Sequence, residues 1–340
     1  MPVSRKPLTR ILVTGGMGFI GSNYIQHVMT ARPGVHVVNI DKLSYGSNPA
    51  NLRNLEGRAN YQFIRGDICN AELVDQAASS VEVVINFAAE THVDRSISNP
   101  GAFLESNTKG VLTLLESCRR RDLKFLQIST DEVYGSAEDE RGFREVDALS
   151  PSSPYSASKA AAEMLVSAYR KTYGLNVLVT RCTNNFGPFQ FPEKLIPKTV
   201  ILAAQNRRVP IYGSGRQVRD WIHVQDHCEA VDQVLERGVS GDVYNVGGGN
   251  QIENEQVVKQ ILKLMGKPEE LIEHVDDRPG HDVRYWLDTS KVRDELGWTP
   301  KRPFEDGLRE TVAWYVENEV WWRPLLNERV LSSAPWKSKW

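Results

Sequence analysis

Two patterns alternate through the first half of the chain. Short, largely apolar runs lie at residues 10–14, 36–40, 61–65, 81–88, 124–128 and 176–181, and amphipathic stretches such as 18–29 and 107–119 lie between most of them. Runs of this length separated by helices predict a parallel sheet covered on both faces, because a strand buried on both sides reads as a near-continuous apolar segment. Consecutive right-handed crossovers then give a doubly wound α/β fold. The second half is less regular. Turn signals stand at Gly187-Pro188, Gly213-Ser214-Gly215, Gly247-Gly248-Gly249 and Arg278-Pro279-Gly280, and helical patterns recur over 194–205, 224–237, 254–265 and 304–318.

A chain of 340 residues is long enough for one large domain or two intimate ones. Its formal net charge of -2 gives no pull toward nucleic acid or membrane. No apolar stretch approaches the roughly 20 residues that span a bilayer. Arg5, Lys6 and Arg10 before Ile11-Leu12-Val13 imitate the start of a signal peptide, but the run stops at Thr14-Gly15-Gly16. Cys69, Cys118, Cys182 and Cys228 are far apart and show no C-x-x-C spacing, which suits reduced packing cysteines in a cytoplasmic protein. Trp336 and Trp340 at the end of the chain suit docking on the body or a partner, or equally a frayed tail.

The first apolar run leads into Thr14-Gly15-Gly16-Met17-Gly18-Phe19-Ile20-Gly21. Glycines at 15, 18 and 21 permit a tight strand-to-helix turn and a close backbone approach to a pyrophosphate at the helix N-terminus. Asp41 ends the second run about 20 residues later, where a carboxylate binds the adenosine ribose hydroxyls and repels a 2′-phosphate, favouring NAD over NADP. Asp67, after the third run, suits either the adenine amino group or a solvated turn. Ala88 and Ala89 suit either a flat cofactor or tight helix packing. Tyr155 and Lys159 are four apart and share a helix face, with Pro151 and Pro154 marking the helix start. A nearby ammonium lowers a tyrosine pKa toward the working range. Asp131 and Glu132 follow Ser129-Thr130 at the end of the fifth run, and by themselves read as an ordinary turn.

The runs T-G-G-x-G-F-I-G, D-K-L-S-Y, A-A-E-T-H-V-D-R-S, S-T-D-E-V-Y-G, P-Y-S-A-S-K, N-N-F-G-P-F-Q-F-P-E-K-L-I-P, R-x-V-R-D-W and D-R-P-G-H-D together resemble the extended short-chain dehydrogenase/reductase superfamily. Within it they are similar to the dTDP-glucose 4,6-dehydratase family, from about residue 10 to 325. The resemblance implies NAD as cofactor and contacts to it from Phe19, Ile20, Asp41, Lys42, Leu43, Ser44, Asp67, Ile68, Ala88, Ala89, Ser106 and Asn185, beside the glycine loop, Tyr155 and Lys159. It makes Tyr155 the base at the sugar C4 hydroxyl and Thr130 its hydrogen-bonding partner. Asp131 becomes the acid at the C6 hydroxyl, and Glu132 the base at C5. The chemistry is coherent, since C5–H becomes acidic only once C4 is a ketone, and loss of water from C6 then needs a proton donor. The net reaction is redox-neutral, so NAD stays bound through the cycle.

For the sugar nucleotide the resemblance implies Thr91, Thr130, Asn184, Glu193, Lys194, Leu195, Pro210, Ile211, Tyr212, Arg219, Asn254, Asp277, Arg278, His281 and Tyr285. Lys194, Arg219 and Arg278 carry charges that suit a diphosphate. Thr91 stands where a serine is usual. Val283 and Trp286 stand where a basic and a small residue are expected, which bears on nucleotide preference. His223 and His227 are four apart but straddle a predicted strand–helix junction without an evident third ligand, so no metal is expected.

The fold expected is a Rossmann-type doubly wound parallel sheet with a smaller C-terminal α/β substrate-binding portion. Residues 1–186 form the NAD domain, to which the chain returns around 218–248, and residues 187–340 form mainly the sugar-nucleotide domain. The partners expected are a dTDP-glucose substrate and a second copy of the chain, held through a four-helix interface built from 107–119 and 156–173. Two other functions fit parts of the pattern. A sugar-nucleotide 4-epimerase needs Tyr155 and Lys159 but not the acid pair, and a non-catalytic NAD-sensing protein needs only the dinucleotide loop.

Overall fold

The computed structural model describes residues 8–138 and 141–337. Arg5, Lys6 and Trp340 lie outside them. The strands in chain order are β1 Arg10–Thr14, β2 His36–Asp41, β3 Tyr61–Arg65, β4 Val83–Asn86, β5 Lys124–Thr130, β6 Val177–Cys182, β7 Asn184–Phe186, β8 Val209–Tyr212, β9 Val218–His223, β10 Val243–Val246, β11 Gln251–Glu253 and β12 Ile272–Val275.

Seven strands make one parallel sheet in the order β10-β6-β5-β4-β1-β2-β3. The order runs outward in both directions from β1 and β4, which creates a crevice at their carboxyl ends. Alternation along β1 explains the two-faced burial. Ile11 and Val13 join one core with Tyr24 and Val28 of the Phe19–Ala31 helix, while Leu12 joins the other with Leu114 and Val166 of the Gly110–Arg121 and Pro154–Tyr173 helices.

Four of the six apolar runs differ from their strands, the 176–181 run by a one-residue shift to Val177–Cys182. The 81–88 run yields only Val83–Asn86, because Phe87, Ala88 and Ala89 leave the sheet to line a cavity. The 124–128 run continues through Ser129 and Thr130, pairing with Arg181 and Cys182 of β6. The 36–40 run gains Asp41. The 107–119 helix is reached through a helix at Pro100–Leu104 and a π-helical turn at Glu105–Lys109. That wider turn brings the Asn107 side chain onto the Glu90 backbone, accepting from its N–H at 2.8 Å and donating to its carbonyl at 2.9 Å.

Beyond residue 183 the chain builds two small sheets, β11-β9-β7 and the parallel pair β12-β8. Phe186, Trp221, Val257, Phe304 and Tyr315 pack a third core beneath them. Between 218 and 248 the chain crosses back. Strand β9 stays in the small sheet, the Val224–Arg237 helix packs on the Phe19–Ala31 helix, and β10 closes the edge of the large sheet. Among the described residues no helix is long and apolar enough to cross a membrane.

Candidate active site

The crevice at the ends of β1 and β4 is a cavity of about 270 Å³. Gly15 turns the chain at φ +70°, and a Cβ there would lie 2.6 Å from the Ala88 backbone. A Cβ on Gly21 would lie 2.4 Å from the Gly15 carbonyl oxygen. The Phe19–Ala31 helix begins at Gly18 with no side-chain cap. Its first N–H groups are therefore left for a ligand.

Asp41 is buried at the end of β2, which pushes its carboxyl above the usual range. Three donors oppose that shift: the Leu43 and Met17 N–H groups at 2.8 and 2.9 Å and the Ser47 hydroxyl at 2.8 Å. Lys42 donates to the Ser106 hydroxyl at 2.7 Å. Gly18, Phe19, Ile20, Ser44, Asp67, Ile68, Ala88, Ala89, Ser106 and Asn185 all line this cavity. Leu43 does not. At φ +57° it turns its side chain onto the hydrophobic core instead.

The other end of the cavity holds the proton-transfer groups. Ser153 and Ser156 form a reciprocal capping box with Pro154 at the first turn, which fixes the start of the Pro154–Tyr173 helix and puts Tyr155 and Lys159 on its cavity face. Burial, then the Glu132 carboxylate, pushes the Tyr155 phenol well above its ordinary value, and a hydrogen bond with Thr130 opposes them. Lys159 donates to the Ile128 carbonyl at 2.6 Å, and burial lowers its pKa to about 8. The sequence places this ammonium beside the phenol. The structure instead commits it to the sheet through the Ile128 carbonyl.

Thr130 caps a tight turn, its hydroxyl accepting from the Glu132 N–H at 3.2 Å and donating to Asp131 at 3.1 Å. Asp131 Oδ2 is buried without a partner. Burial and the neighbouring Glu132 push this carboxyl well above its ordinary value, which favours its protonated form. Glu132 is half-buried and opens into the cavity. Burial raises it, while Arg278, Arg219 and Lys194 pull it back down.

A second cavity of about 180 Å³ adjoins the first. Thr91, His92, Glu132, Asn184, Glu193 and Lys194 line both. Leu195, Pro210, Ile211, Tyr212, Arg219, Asn254, Arg278, His281 and Tyr285 also belong to its wall. Arg219 donates to the carbonyls of Val218 and Asp282 at 2.8 and 2.9 Å and lies 4.1 Å over the Tyr285 ring. Arg278 pairs with Asp94 at 2.9 Å. Asp277 lines neither cavity; its carboxylate holds His281 at 2.6 Å and Gln217 at 2.9 Å. Burial, with Arg278 and Arg219 nearby, lowers His281 to about 4, so its ring is neutral.

Val283 and Trp286 line neither cavity. Val283 is exposed, and Trp286 stacks under Arg284 at 4.3 Å. His223 and His227 serve different tasks. The first caps the Val224–Arg237 helix, and the second hydrogen-bonds Asn185 at 2.8 Å. Burial lowers them to about 4 and about 3.

Several wall residues escaped the sequence reading. Tyr45, with Arg95 4.3 Å above its ring and Phe191 at 4.9 Å, forms an aromatic corner of the first cavity. His92 bonds Glu193 at 2.9 Å, and Glu90 accepts from Arg95 at 3.1 Å. The signal was the density of ionisable residues in A-A-E-T-H-V-D-R-S directly after a strand at the switch point.

A dinucleotide crevice that ends on a Tyr-x-x-x-Lys helix and opens into a second polar cavity is the organisation of an extended short-chain dehydrogenase/reductase. The chain matches the family model described as GDP-mannose 4,6 dehydratase over residues 12–311. The dTDP-glucose 4,6-dehydratase of Streptomyces niveus is 46% identical, over 96% of this chain and 98% of that protein. The dTDP-glucose 4,6-dehydratase of Bacillus anthracis, solved in complex with NAD, is 47% identical with a TM-score of 0.88, covering 94% of this chain and 100% of the other. That of Streptomyces venezuelae, also solved with NAD bound, is 43% identical with a TM-score of 0.91 over the same shares of 94% and 100%. The chain belongs to the dTDP-glucose 4,6-dehydratase family.

Proposed function

We propose that the chain converts dTDP-glucose to dTDP-4-keto-6-deoxyglucose with NAD as a resident cofactor, in deoxysugar biosynthesis. The observation that carries this reading is the unequal setting of two adjacent acids. Burial raises both carboxyls, but Asp131 is pushed up further, with Glu132 beside it, and keeps one oxygen without a partner, while Arg278, Arg219 and Lys194 pull Glu132 back toward its charged form. Surroundings that favour the neutral form of one carboxyl more than the other assign an acid and a base.

The first cavity fits NAD. The glycine loop has no room for a Cβ at 15 or 21, the helix N-terminus is uncapped, and the Asp41 carboxylate at the end of β2 disfavours a 2′-phosphate. When bound, NAD supplies the acceptor that takes hydride from sugar C4 and returns it to C6. Tyr155 takes the proton of the C4 hydroxyl as phenolate, the form that Thr130 steadies and that the positive nicotinamide of bound NAD would favour against burial. Glu132 removes the C5 proton once C4 is a ketone and returns it to C5 when hydride reaches C6. Asp131 gives its proton to the C6 oxygen, which leaves as water. Arg219, Arg278 and Lys194 hold the diphosphate in the second cavity.

Residues 1–186 with the return at 218–248 serve the dinucleotide in this scheme, and 187–340 mainly the sugar nucleotide. The protein works in the cytoplasm as a homodimer. Exposed Leu104, Leu112, Met164 and Tyr173 on the Pro100–Leu104, Gly110–Arg121 and Pro154–Tyr173 helices support the four-helix interface.

The test is turnover of dTDP-, UDP-, CDP- and GDP-glucose by the NAD-loaded protein. The expected result is a 4-keto-6-deoxy product, formed fastest from dTDP-glucose. A galacto epimer would establish the 4-epimerase instead, and bound NAD with no turnover of any of the four would favour an NAD-sensing role.

A further inference from the structure

A turn at Pro335–Lys337 backs the wall of the second cavity at Tyr212. The turn Pro335–Lys337 packs on the Val93–Ser98 helix, and Trp336 is 8% exposed. Its ring meets Tyr212 edge-on, with centroids 4.8 Å apart and planes at 82°. The Tyr212 hydroxyl donates to one oxygen of Asp94 at 3.0 Å, and Arg278 holds the other at 2.9 Å. Tyr212 and Arg278 both face the cavity. A second tie lies one strand away. Lys198, buried in the same wall, donates its ammonium to the Ser332 carbonyl at 2.5 Å. Lys337 adds an ion pair with Asp276 at 2.8 Å, but both partners are exposed and such a pair contributes little.

We propose that Trp336 is a positioning residue of the sugar-nucleotide site, which sets the Arg278 guanidinium for a nucleoside diphosphate through Tyr212 and Asp94. The inference rests on the reading that the second cavity takes the diphosphate. Asp94 is the pivot, since each of its oxygens is committed to a different partner. Trp336 packs edge-on against the Tyr212 ring and so limits the freedom of the phenol to swing off that carboxylate. With the indole gone, the ring gains freedom, Asp94 loses one of its two fixed partners, and the Arg278 fork is no longer aimed. Tyr155, Asp131 and Thr130 line only the first cavity, so the loss falls mainly on binding, and Glu132, in the wall of both, keeps Arg219 and Lys194 beside it.

The test uses the NAD-loaded full chain with Trp336→Ala, Trp336→Phe and Tyr212→Phe. For Trp336→Ala, KM for dTDP-glucose and the Kd for dTDP by calorimetry both rise about threefold to tenfold, the range of one aromatic pair, while kcat stays within about twofold. Trp336→Phe keeps an edge-on ring and recovers most of the affinity. Tyr212→Phe keeps the indole contact, removes only the bond to Asp94, and weakens dTDP to a similar degree; this variant decides the matter if Trp336→Ala does not fold. Unchanged dTDP affinity in Tyr212→Phe, or in a folded Trp336→Ala, overturns the proposal. Absence of dTDP-glucose turnover by the unaltered protein would contradict the proposed reaction, while weakened dTDP binding by the variants would still support the positioning role.

Discussion

Asp131 and Glu132 are neighbours in the chain with different surroundings, and the chemistry follows from that difference. Replacing Glu132 by Gln keeps the shape and removes the base. The account predicts that C4 oxidation survives, seen as reduced-nicotinamide absorbance that builds up on the protein, while product formation falls by about 10²–10⁴-fold. Unimpaired product formation would remove the basis for the role of Glu132. Lys159 gives a second prediction. Its pKa is lowered from the ordinary lysine value to about 8, so it is charged below that pH and neutral above it. On this account kcat/KM falls as pH rises through about 8, and in Lys159→Arg, whose guanidinium stays charged, the residual activity loses that alkaline limb. A limb with an unmoved midpoint in the variant would assign it to another group. The pairing of Tyr155 with Lys159 was legible in sequence because its spacing is local, whereas Thr130, Asp131 and Glu132 read alone as a turn and took their roles from resemblance. The bond from Lys159 to Ile128 was not legible, since it joins residues 31 apart through the docking of a helix on a sheet.

The Pro154–Tyr173 helix carries the working tyrosine, and one buried ion pair fixes how it sits. Arg181 of β6 reaches Glu163 at 2.6 Å, and its guanidinium also bonds the Tyr134 hydroxyl and the Glu145 carbonyl. Removing one member of such a pair leaves a buried charge unpaired. Glu163→Ala is expected to cost about 3–5 kcal/mol in denaturant unfolding, and a loss below about 1 kcal/mol would show that the pair does not anchor the helix. Strands and helices were legible as elements because their periodicity is strong. Their ends were less so where the site intervenes. The 81–88 run broke at Asn86 because the next three residues line the cavity, and the helix through 107 took a π turn so that Asn107 clamps Glu90. Hydrophobic pattern says nothing of either, since both are set by contacts distant in sequence.

The whole molecule places a dinucleotide crevice and a second polar cavity side by side, with Glu132 in the wall of both. The doubly wound sheet was readable from the order of apolar runs, whereas the reversal of strand order at β1 and β4 that makes the crevice is seen only in the structure. The second cavity was readable only as residues implied by resemblance, because its wall is drawn from many separated stretches between Thr91 and Tyr285. Joined cavities allow one sugar to be oxidised, dehydrated and reduced without leaving, and a resident cofactor then returns the hydride it received. The most direct measurement is the fate of deuterium from dTDP-glucose labelled at C4. The account predicts the label in the C6 methyl group of the 4-keto-6-deoxy product. Label retained at C4 of a galacto product, or lost to solvent, would contradict it.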